Sequence, residues 1–151
     1  MIPPVSTPRI EIMLKRFTCA LLCTSLVSLS GFAAEAMPPV AATQVLKAVN
    51  SWDGKPIVYP SGAGEVTVLN IEIQPGAETG WHQHPVPSFA MVLEGTLQVT
   101  LRDGSSRRFG AGEAFAEVVN TSHNGRNVGA ASVKLLVVYA GAPGTSLTHK
   151  D

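Results

Sequence analysis

The chain has 151 residues, 45% of them hydrophobic and 15% charged, and its eleven basic and eleven acidic side chains cancel. That length and balance suit one ordinary globular domain with an additional N-terminal segment. Zero net charge, with no basic run and no interleaving of aromatic and basic residues, excludes a surface built to track a phosphate backbone, so nucleic acid is not an expected partner.

Residues 1–36 read as a leader. Met13-Leu14-Lys15-Arg16 is a short basic region, Phe17 to Phe32 is an apolar run, and Gly31 to Ala36 supplies small residues for cleavage. That order is the pattern of a secretory signal peptide, with Met13 a candidate true start and an apolar run too short for a comfortable membrane span. The alternative is an anchor helix left in place. Cys19 and Cys23 both lie in the apolar run and leave with it, so the mature chain is expected to hold no disulfide, no thiolate ligand and no catalytic cysteine. A periplasmic or secreted location follows, with no stable membrane insertion of the mature protein.

Residues 37–63 form an N-terminal extension in which Thr43 to Val49 is expected to make a first short strand, followed by turns at Ser51 to Pro56 and Tyr59 to Gly64. The main domain spans residues 64–141. Val66 to Ile73 alternates as a strand, Pro75-Gly76 turns the chain into a histidine-bearing strand, and Ser88 to Leu93 resumes the alternation. Glu94-Gly95 is expected to close a tight hairpin onto Thr96 to Leu101, and Arg102-Asp103-Gly104-Ser105 a second one onto Arg107 to Phe109. Ala114 to Val118, Ser122 to Asn127 and Ser132 to Tyr139 complete the set, the last reading as buried on both faces apart from Lys134. Residues 142–151 are a tail whose His149 reads as an exposed end residue. Short strands at regular spacing, with no helical periodicity after residue 50 and no internal repeat, predict an all-β sandwich or barrel.

His82 and His84 are two apart, so on a strand they share a face about 6.6 Å apart at roughly 3.3 Å of rise per residue. Two imidazoles so placed can close on one metal ion, and His123, in a second strand-and-turn pattern, is a third donor. Three of the chain's four histidines fall at these positions.

The two stretches resemble the two motifs of the cupin superfamily, in its single-domain type-2 form. Gly76, His82, His84 and Gly95 fit the first motif, except that Ser88 stands where the family has a glutamate. Gly112, His123 and Asn127 fit the second, with Val118 and Asn120 where its proline and glycine usually stand. The resemblance covers roughly residues 64–141. It implies a single small antiparallel β-barrel, the double-stranded β-helix jelly roll, with a divalent metal in its mouth held by His82, His84 and His123. A three-histidine set resembles that of thiol dioxygenases, which favours Fe(II), with Mn, Ni, Cu or Zn as alternatives because imidazole suits several of these ions.

Glu78 and Glu117 are the candidates to replace the absent carboxylate. Glu117 and Arg126 are the candidate catalytic residues, the first as a proton acceptor and the second as its partner or as a clamp for an anionic substrate. Phe89, Met91 and Leu93, on the face opposite Ser88, form an apolar stripe that suits a homodimer. The expected function is an exported, metal-binding dioxygenase of a small molecule. The alternatives are a binding or sensing module without turnover and a metal-dependent isomerase or lyase.

Overall fold

Alternation of apolar and polar residues becomes β-structure along the whole domain in the computed structural model, which describes residues 39–151. The leader assigned to residues 1–36 lies outside the described residues. The strands are β1 (Glu65–Ile73), β2 (His82–Gln83), β3 (Ser88–Glu94), β4 (Thr96–Leu101), β5 (Ser106–Gly110), β6 (Ala114–Ala116), β7 (His123–Asn127), β8 (Val133–Gly141) and β9 (His149–Lys150). No helix occurs among the described residues, and so none long and apolar enough to cross a membrane.

Hydrogen bonding defines two antiparallel sheets, one in the order β1-β8-β3-β6 and one in the order β5-β4-β7-β2-β9. The all-β expectation holds, and the single barrel resolves into these two packed sheets. Between them lies the core. Ala90, Val92, Leu135 and Val137 come from one sheet, and Leu97, Val99 and Phe109 from the other. Phe109 stacks on Phe115 at 3.7 Å between ring centroids. Each such aromatic ring withdrawn from water stabilises the fold by about 2 kcal/mol.

Three expectations are corrected. Thr43 to Val49 forms no strand; among the described residues of the extension the only β-pairing is an isolated bridge between Asn50 and Pro56. β8 buries one face rather than two, because Val133, Leu135, Val137, Tyr139 and Gly141 point into the core while the residues between them face outward. Glu94-Gly95 is not a hairpin, because β3 pairs with β6 and β8, whereas β4 pairs with β5 and β7. The turn is instead a corner carrying the chain from one sheet to the other. Gly95 makes it at φ 82°, and a Cβ there would lie 2.8 Å from the Ser132 carbonyl oxygen. The hairpin at Arg102 to Ser105 forms as expected, with the Leu101 amide donating to the Ser105 carbonyl at 2.8 Å.

A second crossing between sheets positions the chemistry. β2 belongs to the five-stranded sheet and β3 to the four-stranded one, and His84 to Pro87 connects them. Pro85 and Pro87 lack the amide hydrogen needed to extend the ladder, while Val86, 1% exposed, anchors the crossing in the core. His84 therefore sits where the sheets meet, and Ser88 opens the strand beyond. At the end of β7 Asn127 ties elements together: its Nδ2 donates to the carbonyls of Ile73 and Ala131, both at 2.8 Å, and its Oδ1 accepts from the Gly129 amide at 2.9 Å.

Candidate metal centre

His82 stands directly opposite His123 in the β2–β7 pairing, and His84 follows His82 at the start of the crossing. Ring centroids are 4.3 Å apart for His82–His123, 4.8 Å for His82–His84 and 5.0 Å for His84–His123. The nitrogens they offer lie within 4.8 Å of one another. The structure thus brings together the three predicted ligands.

Each ring is oriented from behind by a backbone carbonyl. Nδ1 of His82 donates to Gly80, that of His84 to Leu147 and that of His123 to Thr121, all at 2.8 Å. A carbonyl oxygen only accepts, so each neutral ring carries its hydrogen on Nδ1 and keeps a lone pair on Nε2. This is the outer-shell arrangement that fixes the tautomer of metal-ligating histidines. Burial holds the His82 imidazole below its usual pKa and pushes that of His84 down to about 4, so both are neutral at neutral pH, as ligands must be.

Nε2 of His123 is buried with no hydrogen-bond partner. Buried polar atoms are satisfied in the great majority of cases, and an exception calls for a missing partner. Three convergent lone pairs, one of them on this orphaned atom, fit a divalent transition ion.

The histidines line a cavity of about 60 Å³ together with Ser88, Glu117, Tyr139 and an apolar wall. Glu117 follows β6 and is buried. Its Oε1 accepts from Trp52 Nε1 at 2.9 Å and from the Val118 amide at 3.1 Å. A proline at position 118, as in the family motif, would have no hydrogen to donate there. Asn120, at the motif's glycine position, takes the left-handed φ of 51° that glycine would supply, and its amide donates to the His84 carbonyl at 2.8 Å. The Tyr139 phenol, its ring 5.3 Å from that of His84, is held above its usual pKa by burial.

Arg126 is not brought to the site. It alternates outward from His123, Gly125 and Asn127 and lies 3.6 Å from Glu78, not Glu117, while Asn124 donates to the same Glu78 carboxylate at 2.8 Å. Glu78 is accordingly a rim residue. Two contributors escaped the sequence reading. Trp52, from the extension, holds Glu117, and the tail is no loose end: β9 pairs with β2, and Leu147 supplies the carbonyl behind His84. His149 is exposed in β9, away from the ligand cluster, as expected.

Residues 69–139 match the family model described as the cupin domain. No curated protein sequence matches the chain. Among solved structures, an oxalate decarboxylase from Lactobacillus farciminis in its formate complex aligns with 20% identity and a TM-score of 0.50, over 56% of this chain and 26% of that one. A DMSP lyase from Ruegeria pomeroyi aligns with 20% identity and a TM-score of 0.49, over 56% of this chain and 42% of that one. A sugar phosphate isomerase from a cupin superfamily, from Silicibacter pomeroyi, aligns with 27% identity and a TM-score of 0.45, over 52% of each chain. The aligned part thus spans less than half of the first two proteins.

Proposed function

The chain belongs to the cupin superfamily, and on that premise we propose that it is a metal-dependent enzyme, a dioxygenase of a small molecule, with His82, His84 and His123 as the metal ligands. The observation that carries the reading is the unpartnered, buried Nε2 of His123 among three imidazoles whose Nδ1 atoms are already engaged. When bound, a divalent ion supplies Lewis acidity and open coordination positions for substrate and oxygen. Fe(II) is the favoured ion.

The chain's own residues do the rest. The apolar wall lowers the polarity around the cavity, which strengthens the electrostatic interactions inside it. Glu117, anchored through Oε1, presents its other oxygen to the cavity as the acceptor for a substrate proton. The same carboxylate also favours a second reading, proton transfer without oxygen in an isomerase or lyase. Ser88 leaves the site without a carboxylate as fourth ligand at that position.

The test is metal analysis and oxygen uptake. Wild-type protein is expected to hold about one transition ion per chain, and His123→Ala to lose it. Fe(II)-loaded protein is expected to consume oxygen with a member of a panel of phenolic, thiol and diketone substrates. Equal metal content in wild type and His123→Ala discards the centre. Turnover that is unaffected by removal of oxygen selects the isomerase or lyase reading, and no turnover with any metal selects a binding module.

The reading extends to setting. The basic, apolar and small-residue order of Met13 to Ala36 supports export to the periplasm, and the outward stripe of Phe89, Met91 and Leu93 supports a homodimer. N-terminal sequencing of the exported form and light scattering check these two points.

A further inference from the structure

Ser88 is 1% exposed, lines the same cavity as the three histidines, and its Oγ has no hydrogen-bond partner. A hydroxyl so placed has one hydrogen to donate and two lone pairs to fill. Glu117 is its cross-strand neighbour. Phe89 pairs with Ala116, and one step further the Glu117 amide donates to the Ser88 carbonyl at 2.9 Å. Directly opposed residues of an antiparallel pair project to one face with Cβ atoms about 5 Å apart. Oε1 of Glu117 is taken by Trp52 and Val118, which leaves Oε2 for the cavity.

We infer that Ser88 Oγ and Glu117 Oε2 form a clamp for the hydroxyl group of a small uncharged ligand bound beside the metal position, with Trp52 as the positioning residue for Glu117. The ligand's O–H donates to Glu117 Oε2, and its oxygen accepts from Ser88 Oγ. Charge and size set the class. No lysine or arginine lines the cavity, so nothing but the metal ion itself offsets the repulsion between a ligand carboxylate and Glu117, whereas a hydroxyl meets no such repulsion. Apart from Thr79 and Tyr139 the remaining wall, including Ile71, Ile73, Ala90 and Val137, is apolar and accepts carbon. At about 60 Å³ the cavity is well below the roughly 150 Å³ that admits benzene, so the part of the ligand that enters has about two to four non-hydrogen atoms. Short alcohols and hydroxyketones are the matching compounds.

This inference rests on the metal reading, and the experiment separates the two. Full-length protein is loaded with Co(II), and its visible absorption is followed while hydroxyacetone, acetone or acetate is added. Hydroxyacetone is expected to bind about 10-fold more tightly than acetone, which lacks the hydroxyl, and than acetate, which is charged. Ser88→Ala and Glu117→Gln each reduce that preference about 10-fold without loss of Co(II), and Trp52→Phe reduces it by a smaller factor while leaving acetone binding in place. Because Ser88→Ala removes a buried unpartnered hydroxyl, it is also expected to raise the melting temperature by about 4 °C, which a structural serine would not do. Intact Co(II) binding with no preference for hydroxyacetone, or with a preference that Ser88→Ala leaves untouched, overturns the clamp alone. Failure of the wild type to bind Co(II) overturns the metal reading and the clamp with it.

Discussion

Trp52 and Glu117, 65 residues apart in the chain, meet where the indole Nε1 donates to the carboxylate Oε1 at 2.9 Å. Trp52 belongs to the extension before the first strand, its amide donates to the Ala116 carbonyl at 3.1 Å, and its ring stands edge-on to Phe109 at 6.4 Å. The extension is thereby tied to the strand that delivers Glu117. A buried carboxylate with a free oxygen is held in register by a segment outside the two sheets.

This tie is measurable by a double-mutant cycle. Trp52→Phe keeps an aromatic ring against Phe109 and removes the N–H, and Glu117→Gln keeps the shape and removes the charge. Trp52→Phe is expected to destabilise the fold by about 1.5–3 kcal/mol, the range for hydrogen bonds to charged groups, and Glu117→Gln by less, with a coupling of about 1 kcal/mol between them. Urea unfolding of the four proteins gives the coupling. Because a glutamine Oε1 still accepts from the indole N–H, the coupling reads the charged part of the bond, and additive effects would show that the carboxylate's charge adds nothing to it.

His84 makes the metal-free protein sensitive to acid. Its folded-state pKa of about 4 lies below the ordinary value of 6.5, chiefly because of burial, so between those values the unfolded chain takes up a proton that the folded chain refuses. The neutral-His contribution is fully present above pH 6.5 and is lost as pH falls toward 4. A shift of that size corresponds to about 3 kcal/mol. Urea midpoints of protein kept in a chelator are expected to fall steadily from pH 7 to pH 4.5, and His84→Asn is expected to flatten that slope. An unchanged slope in the variant would place the acid sensitivity elsewhere.

The histidine pair was legible because a two-residue step on a strand fixes a shared face, and His123 because its distance from Gly112 and to Asn127 follows a known motif. The same parity shows why Arg126 fails: three residues after His123, it faces the other way. Turn chemistry was half legible. Glu94-Gly95 marks a bend, but nothing local says whether the next strand pairs with the last or crosses to another sheet. Leu147 was beyond reach of side-chain reasoning, since its contribution is a backbone carbonyl that any residue at the position would offer. Trp52 was hidden for a related reason: its partner lies in a different part of the chain and leaves no local pattern.

The corner at Gly95 gives a direct check of the crossing between sheets. Gly95→Ala places a Cβ 2.8 Å from the Ser132 carbonyl oxygen and 3.0 Å from Val133, at a φ of 82° that side chains with a Cβ rarely adopt. Both the backbone and its neighbour must move, and the expected loss is about 2–3 kcal/mol, well above the usual cost of replacing glycine in a tolerant loop. Gly104→Ala is the control, because its φ of 86° is similar while nothing lies within 4 Å of its Cβ position. Thermal unfolding should rank Gly95→Ala as the more damaging, and equal losses would mean that strain alone, without the close approach, sets the cost.

The last five residues act on the three-histidine cluster without belonging to it. Leu147 orients His84, β9 covers the edge of β2 by pairing Lys150 with His82 and His149 with Gln83, and Asp151 is held by Ser122 Oγ and by Arg102 Nη2 at 2.6 Å. Arg102 in turn lies over the Trp81 ring at 3.8 Å, so the tail is fastened to the residue just before β2 and His82. Deletion of residues 147–151 removes the acceptor for the His84 Nδ1–H and is expected to weaken Zn(II) or Co(II) binding about 10- to 100-fold, the usual loss when an outer-shell partner is removed. Arg102→Ala loosens the fastening at an exposed ion pair and should cost far less, within about 5-fold. Calorimetric titration of the metal into the two proteins separates orientation from tethering: a deletion that leaves affinity intact would mean that His84 needs no support from behind, and an Arg102→Ala loss as large as the deletion's would mean that the tether, not the Leu147 carbonyl, sets the ring.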